Sequence, residues 1–466
     1  MTRALASFAG ALLLVLASAC SGGGDDDADR TARNLLIISI DTLRADHLGL
    51  YGYERPTSPQ LDAFARQAVV FDSAQAQSSW TLPSFASMMT SLYSATHACL
   101  NFDSQLDGSF VTLAEVLRGT DFHTAAVASH VFLGRRHGLH QGFSEFDDEL
   151  VLELNESHAA ITSPTVTDKG IAQLERRAAA DERFFLWLHY FDPHELYKLH
   201  EGISEQFGIE EDVDRYDGEI AFTDREVGRL LNAVDRLGLS EDTVVVVVAD
   251  HGEQFMDHGN QRHGRDLHRE TVRVPLVVRT PGYEPRRVAP TVRMVDLMPT
   301  LLELLDVPGP PIREGLSVTR LMRGESQAEL PALAELSLRP DFRADSLVFG
   351  RWKLIVDHSG ASRRDNTDNS QVIIDADGLR RFPIGEPAVQ LFDLETDLLE
   401  QQDVAAGNPD RVAWMRERME QLIDRGKRLV EEGLFERASA LDLSPEELAR
   451  LSALGYIGET APAEKN

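Results

Sequence analysis

The chain has 466 residues, of which 42% are hydrophobic and 26% charged, with a formal net charge of −30. This length suffices for one large α/β domain and a smaller one, and the composition is that of a globular protein rather than a disordered one. The acidic balance argues against a nucleic-acid partner and against electrostatic adhesion to anionic membranes, because both need clustered basic residues.

The N-terminal residues have the pattern of an export signal. An apolar run follows Arg3 and ends in small residues directly before Cys20. A basic start, a short apolar core and small residues before a cut are typical of a signal peptide, and the run is too short for a comfortable transmembrane helix. The cysteine at the cut resembles a bacterial lipoprotein signal, which implies removal of residues 1–19 and acylation of Cys20. A plain secretory peptide with an incidental cysteine is the alternative.

Residues 20–33 include the glycine-rich and acidic run SGGGDDDAD, which predicts a flexible tether behind the acylated cysteine. A serine after the cysteine implies, for lipoproteins of this kind, sorting to the outer membrane. We therefore expect a lipid anchor in the bacterial cell envelope, outer membrane favoured, with the globular part in the periplasm or at the cell surface. With Cys20 acylated, no intramolecular disulfide can form, and Cys99 is interpreted as a small buried hydrophobe.

The elements that follow alternate between strands and helices, which indicates a doubly wound α/β domain over residues 34–325. The five valines of residues 244–248 favour a strand covered on both faces, as in a parallel sheet. Cap residues with a proline at 57–59 and the capping box Thr112–Glu115 predict two helix starts. Apolar runs predict strands over 34–40, 123–128, 184–190, 243–249 and 274–279, and amphipathic patterns predict helices over 216–237 and 295–305.

The pattern changes after about residue 324. Short strands are predicted over 347–350, 352–356 and 390–392, a polar loop over 359–370, a charged helix over 411–432 and a last short helix from Ser444. We assign residues 326–466 to a smaller C-terminal α+β subdomain with a helical tail.

Two aspartates directly follow the two best central strands: Asp41 after residues 34–40 and Asp250 after residues 243–249. Ligands of open α/β sheets bind at the carboxyl ends of the strands, so these carboxylates are expected to converge, with His251 beside Asp250. Thr81 is expected just ahead of a helix N-terminus, where free N–H groups favour an anion. The alternatives are that both aspartates only cap helices and that Thr81 is only an N-cap.

The chain contains, in this order, the fragments DTLRADHLGLYGY, WTLPSFASMMTSLYS, FLWLHYFDPH, YDGEIAFTDREVGRLL, VVVADHGE, RVPLVVR, VRMVDLMPTLLELL, GRWKLI and LFDLETD. Taken together, these fragments resemble sulfatase-like hydrolases of the alkaline phosphatase superfamily. The resemblance runs from about Asn34 to the C-terminus. It implies a large α/β domain with a mainly parallel sheet, followed by a small domain with an antiparallel sheet and a helix.

Carried over residue by residue, the resemblance implies that one divalent metal ion is held by Asp41, Thr81, Asp250 and His251, with Thr81 as the nucleophile. His194 matches a family histidine that contacts the ester, and His263 lies where relatives place a basic substrate-binding residue. Either histidine could protonate the leaving oxygen. A ligand set that contains His251 favours Mn or Zn, with Ca possible.

The chain departs from sulfatases that use formylglycine. Those enzymes carry Cys or Ser in a C/S-x-P-S-R pattern, whereas this chain has Thr81 at the first position and Phe85 at the last. Oxidation of Thr at its β-carbon would give a ketone, so no formylglycine is expected. The second of two adjacent aspartates that sulfatases often have on the first strand is Thr42 here. Relatives with a Thr nucleophile act on phosphoesters or transfer phospho-groups.

The sequence therefore predicts a metal-dependent hydrolase that cleaves sulfate or phosphate-type esters, phosphoesters and phosphonates preferred, through Thr81. The alternatives are a lipid-anchored phospho-group transferase with the same site and a catalytically degenerate sulfatase-like binding module. His189 is interpreted as structural because it lies inside an apolar strand. Glu253 either supports the site or belongs to a turn. His97, His258 and His268 receive no assignment.

Overall fold

In the computed structural model, the structure describes residues 32–153, 161–339, 342–358, 373–374, 380–381, 388–445 and 448. The predicted signal peptide, Cys20, nearly all of the tether, the loop 359–370 and most of the predicted last helix lie outside these residues. Within the described ranges, the helices are all too short or too polar to cross a membrane.

An eight-stranded sheet forms the centre of the larger domain, in the order β12-β2-β11-β7-β1-β6-β4-β5 once its strands are numbered along the chain. These strands are β1 (Asn34–Ile40), β2 (Val69–Phe71), β4 (His123–Val127), β5 (Glu145–Asp147), β6 (Phe184–Tyr190), β7 (Thr243–Ala249), β11 (Leu276–Arg279) and β12 (Arg286–Val288). Strand β1 lies parallel between β6 and β7, whereas β11 is antiparallel to both β7 and β2.

Outside the central sheet, the described part of the larger domain has five shorter strands. A three-stranded sheet contains β3 (Ala74–Gln75), β10 (Arg273–Val274) and β13 (Val292–Arg293), and a hairpin is formed by β8 (Gln254–Phe255) and β9 (Gln261–Arg262). The predicted strand 274–279 is thus divided between β10 and β11. Pro275 lies at the division, where a residue without an N–H group cannot donate to a strand ladder.

The helices flank these sheets, and α7, the longest of those that the structure describes, packs against α6. Predicted helices 216–237 and 295–305 begin in fact at Asp212 and at Leu297, the latter after a 3-10 turn over Met294–Asp296. The helices are α1 (Pro59–Ala65), α2 (Thr81–Thr90), α3 (Ser94–His97), α4 (Leu113–Arg118), α5 (Glu149–Glu153), α6 (Ser163–Ala180), α7 (Asp212–Arg236), α8 (Arg269–Val272), α9 (Leu297–Leu304), α10 (Thr319–Met322) and α11 (Pro409–Glu431).

The core lies on both faces of the central sheet. Every residue of β1, β6 and β7 is buried, which confirms the prediction drawn from the valine run. Gly170 of α6 allows this helix to approach the sheet closely, because a Cβ at that position would lie 2.5 Å from Leu188 Cδ1. The capping box of α4 is confirmed: Glu115 N–H donates to Thr112 Oγ1 at 3.1 Å, and Thr112 N–H donates to Glu115 Oε2 at 2.9 Å.

A four-stranded antiparallel sheet forms the smaller C-terminal part, in the order β14-β15-β16-β19. Its strands are β14 (Ala332–Arg339), β15 (Phe342–Phe349), β16 (Trp352–Asp357) and β19 (Ala388–Asp393), and β17 (Ile373–Ile374) pairs with β18 (Arg380–Arg381) beside it. Met415 and Met419 of α11 join a core cluster with Leu347 and Leu354 of the sheet. The predicted fold class is confirmed, although the sequence did not predict β14.

Candidate functional site

The site lies where the central parallel strands end. Ile40 pairs with Ala249 across β1 and β7, so the next residues, Asp41 and Asp250, leave the sheet side by side. Both are fully buried. Ligand atoms of Asp41, Asp250 and His251 all lie within 4.8 Å of one another. The structure thus brings together three of the four residues that the sequence placed around one metal ion.

The turn after β1 aims Asp41 into this site. Thr42 has a φ of 54°, a strained left-handed conformation for a β-branched residue. Tyr216 of α7 holds the turn in place, since its hydroxyl donates to the Thr42 carbonyl at 2.7 Å and accepts from Arg44 N–H at 2.9 Å. The long helix therefore fixes the direction of a carboxylate that lies far from it in sequence.

Thr81 is the first residue of α2, one step further into the helix than the sequence predicted. Trp80 occupies the N-cap position and makes no side-chain cap bond, so Thr81 does not serve as the N-cap. The Thr81 side chain is fully buried, and its Oγ1 lies 3.3 Å from His251 Nε2. The start of α2 thereby places one hydroxyl at the edge of the carboxylate pair.

The tautomer of His251 follows from its neighbours. Nδ1 lies 3.0 Å from the Gly252 carbonyl oxygen, which can only accept, so Nδ1 carries the hydrogen. Nε2 then presents a lone pair to Asp250 Oδ2 at 3.4 Å and to Asp41 Oδ1 at 3.6 Å. A metal-binding histidine has this arrangement, with its other ring nitrogen donating to a backbone carbonyl.

The carboxylates point at the same place. Asp250 Oδ1 accepts from His251 N–H at 2.9 Å and from Thr42 N–H at 3.4 Å. The described residues supply no hydrogen-bond donor to Asp250 Oδ2 or to either oxygen of Asp41. Burial, followed by repulsion from Asp250, raises the pKa of Asp41 well above its ordinary value. Acceptors gathered in a buried space without donors fit a divalent cation.

His189 extends this set of acceptors. Ser129 Oγ lies 2.6 Å from the His189 carbonyl oxygen, so the single hydroxyl hydrogen is directed there. His189 Nδ1, 2.9 Å from the same Oγ, must then donate to it. Burial lowers the pKa of His189 to about 4, so Nε2 keeps its lone pair and faces Asp41 Oδ2 at 3.4 Å. The interpretation of His189 as a purely structural residue was therefore incomplete, because the ring borders the site.

His194 and His263, the two other predicted catalytic residues, lie on the same side of the site. Their ring centroids are 4.7 Å apart, and His263 lies 4.6 Å from the ring of His251. His130 continues this arc of imidazoles, 5.5 Å from His194, with its Nδ1 3.9 Å from Asp41 Oδ2. Burial lowers the pKa of His263 to about 3, which makes its ring a neutral donor and acceptor rather than a fixed cation.

Glu253 holds His263 in place. Its Oε1 lies 3.1 Å from His263 Nδ1, and it is also hydrogen-bonded to Tyr197. Burial raises the pKa of Glu253 to about 7. Of the two interpretations of Glu253 from the sequence, support for the site is the one that agrees with these contacts.

A comparison with known protein families identifies the family of this chain. The sulfatase family model matches residues 33–307, more than half of the 466 residues. The chain belongs to the sulfatase family. It is accordingly a sulfatase-family ester hydrolase. The family predicted from the sequence fragments is thereby confirmed.

Relatives of known name are distant. The chain is 25% identical over 345 residues to the ulvan-active sulfatase of Formosa agariphila, covering 65% of this chain and 68% of that protein. It is 24% identical over 377 residues to an arylsulfatase of Clostridium perfringens, covering 62% and 78%. The crystal structure of the phosphonate monoester hydrolase of Agrobacterium radiobacter has the same fold, with a TM-score of 0.67, 18% identity and coverage of 85% of this chain and 96% of that one.

Phe85 occupies the position at which the formylglycine-using branch of the sulfatase family carries arginine. Its ring is fully buried and packs edge-on against His189, with centroids 5.4 Å apart, and against Trp187 at 5.2 Å. An apolar ring therefore supports the histidine beside Asp41, in a place where a cation would support an aldehyde hydrate.

His130 is the site residue that the sequence analysis missed. It follows β4 by three residues, at the same edge of the sheet as Asp41 and Asp250. The strand-end rule that found the two aspartates, applied to β4 as well, would have found it.

Proposed function

We propose that this sulfatase-family protein is a metal-dependent hydrolase that uses Thr81 as its nucleophile and prefers phosphoesters and phosphonates to sulfate esters. One observation carries the proposal: the Thr81 hydroxyl lies 3.3 Å from a His251 nitrogen whose lone pair faces two carboxylates. A hydroxyl in that place can be activated by the cation that the carboxylates and the imidazole fit.

Asp41, Asp250, His251 and Thr81 would hold the ion. A divalent ion, when bound, lowers the pKa of a coordinated hydroxyl and neutralises charge on the ester. Its ligand set of two carboxylates, an imidazole and a hydroxyl favours Mn or Zn over Ca. An anionic ester would otherwise be repelled by two buried carboxylates, so substrate binding is expected to depend on the ion as strongly as the chemistry does.

The reaction has two steps. His194 or His263 accepts the Thr81 hydroxyl proton as Thr81 Oγ forms a bond to phosphorus or sulfur, the bond to the leaving alcohol oxygen breaks, and the histidine passes that proton to the departing alcohol. Water then attacks the same atom and the bond to Thr81 Oγ breaks, while the histidine accepts a proton from the water and returns it to Thr81 Oγ. Glu253 orients the His263 ring for this exchange through its contact with Nδ1.

The preference for phosphorus follows from the nucleophile. A formylglycine hydrate can release sulfate by collapse of a hemiacetal, whereas a threonine ester has no second hydroxyl and must be cleared by attack at the central atom. Phosphoryl groups are well served by metal and donor clamps of this kind. The phosphonate monoester hydrolase that shares the fold is a further reason to include phosphonates among the substrates to be tested.

The experiment is a panel of aryl esters: sulfate, phosphate monoester, phosphodiester and phosphonate monoester. We expect the highest kcat/KM on a phosphorus ester, loss of turnover after chelation, and recovery with Mn²⁺ or Zn²⁺. A clear preference for sulfate would contradict the substrate preference. Transfer to an added alcohol in place of water would identify the phospho-group transferase instead, and no turnover by metal-loaded protein on any ester would favour a binding module.

We also propose that the protein is anchored to the cell envelope through acylated Cys20, on the basis of the lipoprotein-like signal. Cys20→Ser should give a soluble protein or an uncleaved precursor, detected by fractionation. A wild-type protein that is soluble and whose N-terminal peptide carries no acyl mass would contradict the anchor.

A further inference from the structure

A second group of metal-ligating side chains lies outside the site already described. Ligand atoms of His258, His268 and Glu270 lie within 4.8 Å of one another. His258 belongs to the turn of the β8–β9 hairpin, His268 is the N-cap residue of α8, and Glu270 is in the first turn of that helix. His268 is 7% exposed and Glu270 2%. Two segments of the chain therefore direct nitrogen and oxygen donors into one place.

The hydrogen bond of His258 leaves one ring nitrogen facing this group. Its Nε2 lies 2.9 Å from the Glu400 carbonyl oxygen, which can only accept, so Nε2 carries a hydrogen. Nδ1 lies 2.8 Å from Glu270 Oε1. Histidines that bind metals commonly donate their other ring nitrogen to a backbone carbonyl, which fixes the tautomer and the direction of the ring.

Several buried atoms of the group have incomplete hydrogen bonding. Among the residues that the structure describes, Glu270 Oε2 and His268 Nε2 have no hydrogen-bond partner, whereas His268 Nδ1 lies 3.3 Å from Asp266 Oδ2. Gln254 Nε2 donates to Glu270 Oε1 at 3.0 Å and to Asp266 Oδ2 at 2.9 Å, but this amide does not reach the other carboxylate oxygen of Glu270. Buried polar atoms without partners mark a place where a ligand is to be expected.

The charged side chains around His258 and His268 also favour a bound cation. The rings of His258 and His268 are stacked, with centroids 3.9 Å apart and an angle of 7° between their planes. The carboxylates of Glu270 and Asp266 border these two rings. Of the neighbouring cationic side chains, Lys353 is paired with Glu400 at 2.9 Å and Arg269 with Asp46 at 3.0 Å.

We propose that His258, His268 and Glu270 form a second divalent-cation site, of the zinc class, distinct from the site at Thr81. Two imidazoles and one carboxylate are ligands that Zn²⁺ prefers. The ion ties the β8–β9 hairpin to the N-terminus of α8 and, through the Glu400 carbonyl, to the C-terminal part of the chain. The hairpin ends at Arg262, directly before His263, so this second site positions a residue of the first one from outside it.

The test is a count of bound zinc. Full-length protein is stripped with a chelator, loaded with Zn²⁺, passed over a desalting column and analysed for metal. Wild type should hold two ions per chain. Asp250→Ala should keep one, His268→Gln should keep one, and the double variant should keep none. The matched control is His97→Gln, which removes a buried histidine that is bonded to Ser87 and belongs to neither site, and should keep two.

The two sites can fail separately. If the second site does not exist, wild type holds one zinc ion and folded Asp250→Ala holds none, which would overturn this proposal and leave the first site intact. If the first site does not bind zinc, wild type and Asp250→Ala both hold one ion. If His268→Gln does not fold, Co²⁺ added to Asp250→Ala gives the answer, because visible d–d absorption in that background comes from the second site. Glu270→Gln in the same background should abolish the absorption, and its persistence would contradict the ligand assignment.

Discussion

The two histidine–carboxylate clusters differ in how their side chains are supported. The cluster at Asp41, Asp250 and His251 stands on the ends of central parallel strands that are fully buried. The cluster at His258, His268 and Glu270 stands on a hairpin of two-residue strands and on a four-residue helix. Side chains at the ends of buried strands are held more precisely than side chains on turns and very short elements.

Protonation separates the clusters further. Although burial opposes the charge, the Glu270 carboxylate beside the ring raises the pKa of His258 to about 9. A proton on His258 can therefore substitute in part for a cation at the second cluster. At the first, both His251 and His189 direct lone pairs at carboxylates, so a proton on either would have to compete with a metal ion. The first cluster is accordingly expected to bind its metal ion more tightly.

The largest effect is expected at the first cluster. Asp250→Ala should lose the ion there and reduce kcat/KM by about a thousandfold or more, since a metal supplies several kcal/mol of charge stabilisation. Asp224→Asn is the matched control: it removes another buried carboxylate, which accepts from Gln60 and Leu61 N–H at the start of α1. The control should keep both the ion and the activity. Equal losses of activity in the two variants would mean that burial, and not metal binding, explains Asp250.

A smaller effect is expected from Ser129→Ala. This change removes the group that fixes the ring of His189 and frees Nδ1 from its bond. Removal of a group that orients a residue of a metal site typically lowers the metal affinity about tenfold or more. Competition with a chelating dye measures the affinity. An unchanged dissociation constant would show that the His189 ring does not act on the ion through Asp41.

The second cluster should respond in stability. In Asp250→Ala, zinc at about a hundred times its dissociation constant should stabilise the fold by about 2.7 kcal/mol, which corresponds to a rise of a few degrees in Tm. Asp250→Ala combined with His268→Gln should show no such rise. A zinc-dependent increase of the same size in both proteins would place the stabilising ion elsewhere.

The smallest effect is expected on the pH dependence of stability, from Glu335, a buried carboxylate that belongs to neither cluster. Burial, followed by repulsion from Asp345, raises the pKa of Glu335 to about 8 from an ordinary 4.5. The folded state then keeps a proton that the unfolded state releases, so this group makes stability fall as pH rises from about 4.5 to about 8. Glu335→Gln should flatten the dependence of Tm on pH over that range. An identical dependence in the variant would show that Glu335 is already ionised in the folded protein.

The sequence predicted the first cluster because its determinants are local. The runs before Asp41 and Asp250 are apolar enough to identify strands. Because ligands of open α/β sheets bind at the carboxyl ends of the strands, the two aspartates are then predicted to belong to the site. Thr81 lies inside α2 and not just ahead of it, because Pro83 is the third residue of this helix and proline is tolerated in the first turn.

The second cluster could not be predicted in the same way. It depends on strands of two residues, β8 and β9, and on a contact between His258 and Glu400, which are 142 residues apart. Strand β14 was missed because Glu335 and Ser337 interrupt its apolar residues, yet Glu335 turns out to be buried. Tertiary packing, which a pattern of residue types does not contain, decides both cases.

The central claim is that Thr81 becomes transiently esterified. The direct measurement is the mass of the peptide that contains Thr81, from metal-loaded protein quenched in acid during turnover of the best phosphorus ester. The account predicts a fraction of this peptide that carries one phosphoryl group, located on Thr81, and no modified peptide or turnover in Thr81→Ala. Steady turnover by Thr81→Ala, at a rate close to that of wild type and with the same metal content, would contradict it.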